Sequence, residues 1–345
     1  MARIWTMDNV GELVEAVSGR VDPDKLSVFS IFRDEVAFCP AFFEHYRRLG
    51  VEQFVIIDDG SEDGTRDFLE AQPDTVVLRM TFGYGDEIDT RIDGRDGRHR
   101  AGVYYKMAVP QKFFAGRYVT YVDADEFLLL PPGVPSLHAI VDRLRGEGAG
   151  SAVASVVEFF PRDASGLRGA LPNSVDGLIA AYPYFQPDPL VTLGGPSGKQ
   201  VHGVSKTARL FERYGIEPTL VRRGLHRIWM PSSEKKAQRF QKSARHKTPI
   251  VLRDAQNRLI DSHNANRPPS QTMILTLAHF VYTAEFADKI DRAMAWGAHA
   301  NGAAKYRYYA ALLRAMDGVE DAFLDPDSAR YEGPEQLVAA GLMRW

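Results

Sequence analysis

Apolar runs and helically spaced segments take turns along the first third of the chain. Residues 26–32, "LSVFSIF", form a short apolar run rich in β-formers. In the next segment, "RDEVAFCPAFFEHYRRLG", Phe38, Phe42, His45 or Tyr46, and Leu49 recur at helical spacing, and Gly50 is placed to close the helix. "VEQFVIID" then reads as a second buried strand and "DGTRDFLEAQ" as the start of a second helix. This β-α-β-α order predicts an α/β fold with a mostly parallel central sheet flanked by helices.

The alternation continues through "TVVLRMT" (75–81), a polar loop rich in Gly and Asp (83–99), a helix at about 100–115 and a single strand, "YVTYVDADEFLLL". A loop of that length and polarity points to a functional or mobile segment. A helix at about 136–146 and the strand "SAVASVVEFF" follow, and the density of Gly and Pro over 161–198 predicts irregular structure. Strands are expected near 204–212 and 249–261, and helices from about 284 to 316.

Composition narrows the classes. With 345 residues, 45% of them hydrophobic and a quarter charged, the chain can build one large domain or two ordinary ones. A net charge of −3 argues against a nucleic-acid partner bound through a broad positive field. The lone cysteine, Cys39, rules out an internal disulfide and a multi-cysteine zinc site. No apolar stretch approaches membrane-spanning length, and the N-terminus lacks a basic region followed by an apolar run. A soluble, cytoplasmic protein is therefore expected.

Two carboxylate clusters carry the chemistry. From Asp59, "DGSEDGTRDFLE" places oxygen-bearing side chains almost as a calcium-binding hand does. The preceding "FVII" is strand-like, however, and the eighth position, normally apolar, is Arg66. The calcium reading fails on that context. The alternative puts Asp58 and Asp59 at the carboxyl end of a parallel strand, where open α/β sheets bind ligands; a plain helix-capping role for Asp59 and Ser61 competes with it. The second cluster is Asp123-Ala124-Asp125-Glu126, where strand alternation points Asp123 and Asp125 to one side. Like charges that close disfavour joint ionisation, and a divalent ion with oxygen ligands, Mg2+ or Mn2+, relieves the cost. A phosphatase-type D-x-D-x-[TV] is a rival, but its fifth position is Phe127 here.

"FRDEVAFCPAFFEHYRRLGVEQFVIIDDGSEDGT", followed by "DADEFLLLP", resembles glycosyltransferase family 2 of the GT-A fold, in the subgroup with "DDGSTDGT" and "DVDEF" motifs. Arg33-Asp34-Glu35 stands where that subgroup carries Asn-Glu, so Glu35 is kept and the Asn is not. "HGVSKTARLF" (202–211) resembles the family's segment with a Lys before a strand, and "AHFVYTAEFADKIDRAMAWG" its His-Tyr, Ser/Thr-x-x-Phe-x-x-Lys ending, with Phe280 in place of the Tyr. The likeness spans 26–130 closely and 202–297 more loosely.

The resemblance implies an inverting, metal-dependent transfer of a sugar from a nucleotide diphosphate, usually UDP-linked, to a hydroxyl of a glycan or glycolipid acceptor. On that basis Asp125 is expected as direct metal ligand, Asp123 on the ribose or a metal-bound water, and His279 as a third ligand. Asp58, Asp59 and Glu35 would line the nucleoside pocket. Lys206, Arg98 or Arg100 would assist the diphosphate, and Asp163 or Glu158 would be the general base. Plain alternatives stand beside some of these: a hydrogen-bonded structural histidine for His279, an ordinary surface charge for Lys206, Arg98 and Arg100, and a sheet residue for Glu158. The division expected is a helical extension over 1–25, a nucleotide-sugar-binding half over 26–150, an acceptor-side half over 151–283 and a helical region over 284–345. The basic stretch 222–247 could touch an acidic acceptor or the inner face of a membrane. A pyrophosphorylase would need a Gly-rich loop after the first strand, which "SIFRDEVAF" lacks; a non-catalytic relative would be expected to lose the carboxylates.

Overall fold

The structure, a computed structural model, describes residues 3–216, 243–297 and 300–345. Its centre is a nine-stranded sheet built from β1 (Val14–Ser18), β2 (Ser27–Phe32), β3 (Gln53–Asp58), β4 (Thr75–Met80), β7 (Arg117–Tyr121), β8 (Glu126–Leu129), β9 (Ser151–Glu158), β13 (His246–Arg253) and β14 (Ile274–His279). The order across the sheet is β1-β4-β3-β2-β7-β13-β9-β14-β8. Only β1, β13 and β8 oppose the common direction, as their antiparallel pairings with β4, β7 and β14 show. The remaining six strands are parallel, as the alternation of runs predicts.

Side-chain alternation along the strands gives the sheet two apolar faces. On one, Val28, Phe54 and Ile56 pack beneath α1 (Cys39–Arg48) and α4 (Leu137–Glu147) through Phe42, Tyr46, Ile140 and Leu144. On the other, Phe29, Val55 and Ile57 meet Tyr104, Tyr105 and Val109 of α3 (Ala101–Phe113). A third apolar cluster, around Phe211, Tyr282, Phe286 and Tyr309, joins α6 (Lys206–Arg213) to the helices Phe286–Trp296 and Ala300–Met316. Helix α1 ends as expected, with Gly50 at φ +92 in the left-handed region that a side chain would resist.

Five expectations are corrected. The helical extension over 1–25 shows one 3-10 turn, Val10–Leu13, followed by β1, which covers the outer edge of β4. The segment 83–99 is largely a hairpin of β5 (Glu87–Ile92) and β6 (Arg95–Arg100), turned by Asp93-Gly94 with both φ positive. The expected strand "YVTYVDADEFLLL" is two strands, β7 and β8, set at different places in the sheet. Residues 206–213 form a helix, α6, capped where Ser205 accepts the Ala208 N–H. Strand β13 ends at Arg253, short of 261. The stretch 161–198 is mostly irregular, with the short helix α5 (Val175–Ala181) and the brief strands β10 (Tyr184–Phe185) and β11 (Val191–Leu193); β12 (Lys199–Val201) and β15 (Ala329–Arg330) pair with β11 and β10. Of the basic stretch 222–247, residues 222–242 lie outside the described residues. No helix among the described residues is long and apolar enough to cross a membrane.

Candidate functional site

Strand direction decides which residues meet. The parallel strands β2, β3, β7, β9 and β14 end at one edge of the sheet, and the opposed strands β8 and β13 begin there. That edge therefore receives Arg33, Asp59, Asp123, Glu126, Lys247 and His279 from segments far apart in sequence. A cavity of about 660 Å3 opens along it, walled by Glu35, Asp59, Tyr84, Asp123, Asp125 and His279, and roofed by Lys289 and Trp296 of the helix Phe286–Trp296.

The "DDGSEDGT" segment builds a wall before it offers a ligand. Ser61 Oγ accepts the Asp34 N–H (3.1 Å), Asp63 that of Val36 (3.0 Å) and Thr65 Oγ1 that of Glu35 (2.9 Å). These bonds lace the turn after β3 to the turn after β2 and hold Glu35 at the cavity. Asp58 is buried and committed to Arg66 at 2.5 Å, so it does not line the cavity beside Asp59. Asp59 does line it. One of its oxygens accepts the Tyr84 N–H (3.2 Å); the other is buried with no hydrogen-bond partner, Arg33 standing 3.9 Å away. Burial pushes the Asp59 carboxyl up to about 6, against the pull of that N–H and of Arg33.

The second cluster sits on a turn. Between β7 and β8 the Glu126 N–H donates to the Asp123 carbonyl (3.1 Å) and the Asp123 N–H to Glu126 Oε2 (2.8 Å), a reciprocal tie that fixes the turn and the Glu126 side chain. Three lysines surround them. Lys247 bridges Asp123 (3.1 Å) and Glu126, Lys106 lies 3.4 Å from Asp123, and Lys289 reaches Asp125 (2.9 Å) and Glu35 (3.0 Å). Burial opposes ionisation of Asp123 and Asp125, yet Lys106 and Lys247 hold the first, and Lys289 with His279 the second, well below the usual carboxylate range. Glu35 goes the other way: burial takes it to about 7 despite Lys289. His279 is raised, the nearby Asp125 overcoming burial.

An aromatic and cationic rim completes the cavity. The Arg33 guanidinium lies 4.4 Å from the Trp296 ring centre, and the Trp296 and Tyr84 rings are 6.2 Å apart. Gly102 makes room for Tyr84, since a Cβ there would stand 2.2 Å from the ring. Arg100 lies behind Tyr84, 5.5 Å from its ring, outside the cavity wall.

The other expected residues are elsewhere. Lys206 is buried and paired with Asp325 at 2.6 Å. Glu158, at the end of β9, accepts the Thr207 N–H (2.9 Å) and hydroxyl (2.5 Å) and so anchors the start of α6. Asp163 is a half-buried cap that accepts the Ser165 N–H (2.9 Å). None of the three lines the cavity. Arg98 pairs with Glu87 on the exposed hairpin.

These donors decide whether the expected metal fits. Among the described residues no group of three or more His, Cys, Asp or Glu side chains is arranged to hold a metal ion. A metal-bound histidine usually donates its other ring N–H to a fixed acceptor, whereas His279 Nδ1 is buried with no hydrogen-bond partner. The carboxylates expected as ligands face ammonium groups instead. The donor arrangement therefore does not fit Mn2+ or Mg2+.

Sequence reasoning missed Lys106 and Lys247. Lys106 has a signal, as the one charge inside the apolar run "AGVYYKMAVPQ". Lys247 has none, standing at the end of a stretch dense in basic residues.

No protein-family model matches the sequence. No curated protein matches it. Among solved structures the chain is similar to the mannosyltransferase PcManGT from Pyrobaculum calidifontis in complex with GDP-Man and Mn2+, at 16% identity over 88% of this chain and 79% of that one, with a TM-score of 0.29. The superposition is loose; what the cleft can do follows from its own residues.

Proposed function

We propose that the cleft binds a nucleoside diphosphate sugar, UDP-linked by preference, and transfers the sugar to a hydroxyl of a glycan or glycolipid. The observation that carries this reading is convergence. Asp59, from the turn after β3, and Asp123 and Asp125, from the turn after β7, meet along one ligand-sized cavity at the carboxyl ends of parallel strands, beside ammonium groups and an aromatic rim. In this reading the free oxygen of Asp59 accepts a base N–H or ribose hydroxyl, and Tyr84 and Trp296 shelter the base. Asp123 holds Lys106 and Lys247 in place as positioning residue, and Arg33 and Arg292 at the cavity wall meet the phosphates.

In the transfer the acceptor oxygen bonds the anomeric carbon. The bond to the diphosphate oxygen breaks and its electron pair stays on the diphosphate, while the hydroxyl proton passes to a carboxylate of the cleft wall. Charge grows on the leaving group, so fixed cations facing it lower the barrier.

Calorimetric titration with UDP tests the reading. Saturable binding is expected, weakened about 10- to 100-fold in Asp59→Ala through loss of a buried hydrogen bond. Absence of binding to UDP and to other nucleoside diphosphates alike would sink it and return the phosphatase-type alternative to consideration.

A further inference from the structure

A divalent ion and an ammonium group contend for one place in this cleft. Asp125, expected as the direct metal ligand, has Oδ2 bonded to Lys289 Nζ at 2.9 Å, while Oδ1 is faced at 3.6 Å by His279 Nε2. The same Nζ lies 3.0 Å from Glu35. One cation thus joins a carboxylate from the turn after β2 to one from the turn after β7, the bridging task a metal would perform.

Asp123 is no freer. Its Oδ1 accepts the Tyr121 hydroxyl at 2.5 Å with Lys106 3.4 Å away, and its Oδ2 accepts from Lys247 at 3.1 Å. Glu126 is bonded to Lys247 as well. Four carboxylates and three ammonium groups are near electrical balance before any ion enters, and a dication would have to displace Lys289 to reach Asp125 Oδ2.

We propose that Lys289 is the resident cation of the cleft: it fills the place expected for the divalent ion, keeps that ion out, and turns its charge toward the donor's diphosphate. Only the last clause rests on the nucleotide-sugar reading. The exclusion follows from the ammonium groups that already face these carboxylates.

The test titrates the full-length protein with Mn2+ alone, counting free Mn2+ by electron paramagnetic resonance and following the thermal melt. The wild type is expected to bind no Mn2+ through Asp125, so that wild type and Asp125→Asn titrate alike. Lys289→Met is expected to gain one site, bound at least about tenfold more tightly than anything in the wild type, with a melt raised by Mn2+; Lys289→Met combined with Asp125→Asn loses both gains. Saturable Mn2+ binding by the wild type that Asp125→Asn abolishes overturns the proposal, and so does a folded Lys289→Met that gains nothing. Should Lys289→Met not fold, Lys289→Met with Glu35→Gln removes one charge of each sign and answers the same question. The probe carries no nucleotide, so the result stands apart from whether UDP binds.

Discussion

Burial and a lysine pull Glu35 in opposite directions, and burial wins: the carboxyl titrates near 7 rather than at its ordinary 4.5. Stability from a carboxyl raised in this way is complete below pH 4.5 and is lost as the pH rises through about 7. Asp59 acts in the same sense between 3.8 and about 6. Asp123 and Asp125, held low by their lysines, act in the opposite sense, and their contribution disappears only as the pH falls below 3.8. Burial lowers His45 and His263 to about 4 and lowers His246 as well, and these histidines add stability as the pH rises over the same window. The Glu35 contribution is therefore read as a difference: the melting temperature of the wild type relative to Glu35→Gln is expected to decline between pH 4.5 and 7, and parallel curves would show that Glu35 does not titrate in that window. At this scale the acidic half of the site was legible. Asp59, Asp123, Asp125 and Glu35 could be placed because carboxylates at strand ends are conspicuous in sequence. Their partners were hidden for physical reasons: Lys247 is one basic residue among many until β13 carries it under the sheet edge, and Lys289 stood in a recognised motif with no hint of what it would face.

Helix α6 illustrates what an element adds. Its first turn presents the Thr207 N–H and hydroxyl to Glu158, and the Tyr282 hydroxyl donates to Thr207 Oγ1 at 2.8 Å, so β9, α6 and the chain after β14 are tied at one point. Glu158→Gln leaves the carbonyl able to accept one of these bonds and strands the other donor, at a cost of about 1–3 kcal/mol. A lower melting temperature with unchanged UDP affinity is expected; weaker UDP binding at full stability would return Glu158 to the site. The segment "HGVSKTARLF" resembles one with a Lys before a strand, and a strand is expected near 204–212. Yet Thr207, Leu210 and Phe211 are buried at helical spacing behind a Ser205 cap, a pattern readable once periodicity is weighed over eight residues rather than four. The turn between β7 and β8 was harder to see. "YVTYV" and "EFLLL" are both strand-like, and only the competition between sheet pairing and the Asp123–Glu126 tie breaks the run.

For the molecule as a whole, alternating runs gave a parallel sheet between helices, and that is the arrangement found, with three opposed strands added. Direction could be inferred for β2, β3 and β4 because a helix follows β2 and β3 and returns the chain. It could not be inferred for β13, which enters between β7 and β9 and pairs antiparallel with both. A chain ended before Ser243 lacks β13 and β14, and it is expected to show no cooperative melt, because β7, β9 and β8 lose their partners together; a single sharp melt from that fragment would mean the sheet closes without these two strands. The inserted strand also orders events in time. During synthesis β7, β8 and β9 leave the ribosome long before β13 and β14, so the nascent sheet waits with one edge of β7 open, with β8 and β9 unpaired, and with Asp123 and Glu126 lacking Lys247. The hazard for this protein in the cell thus falls in that interval, and slowing translation of its last third would lengthen it.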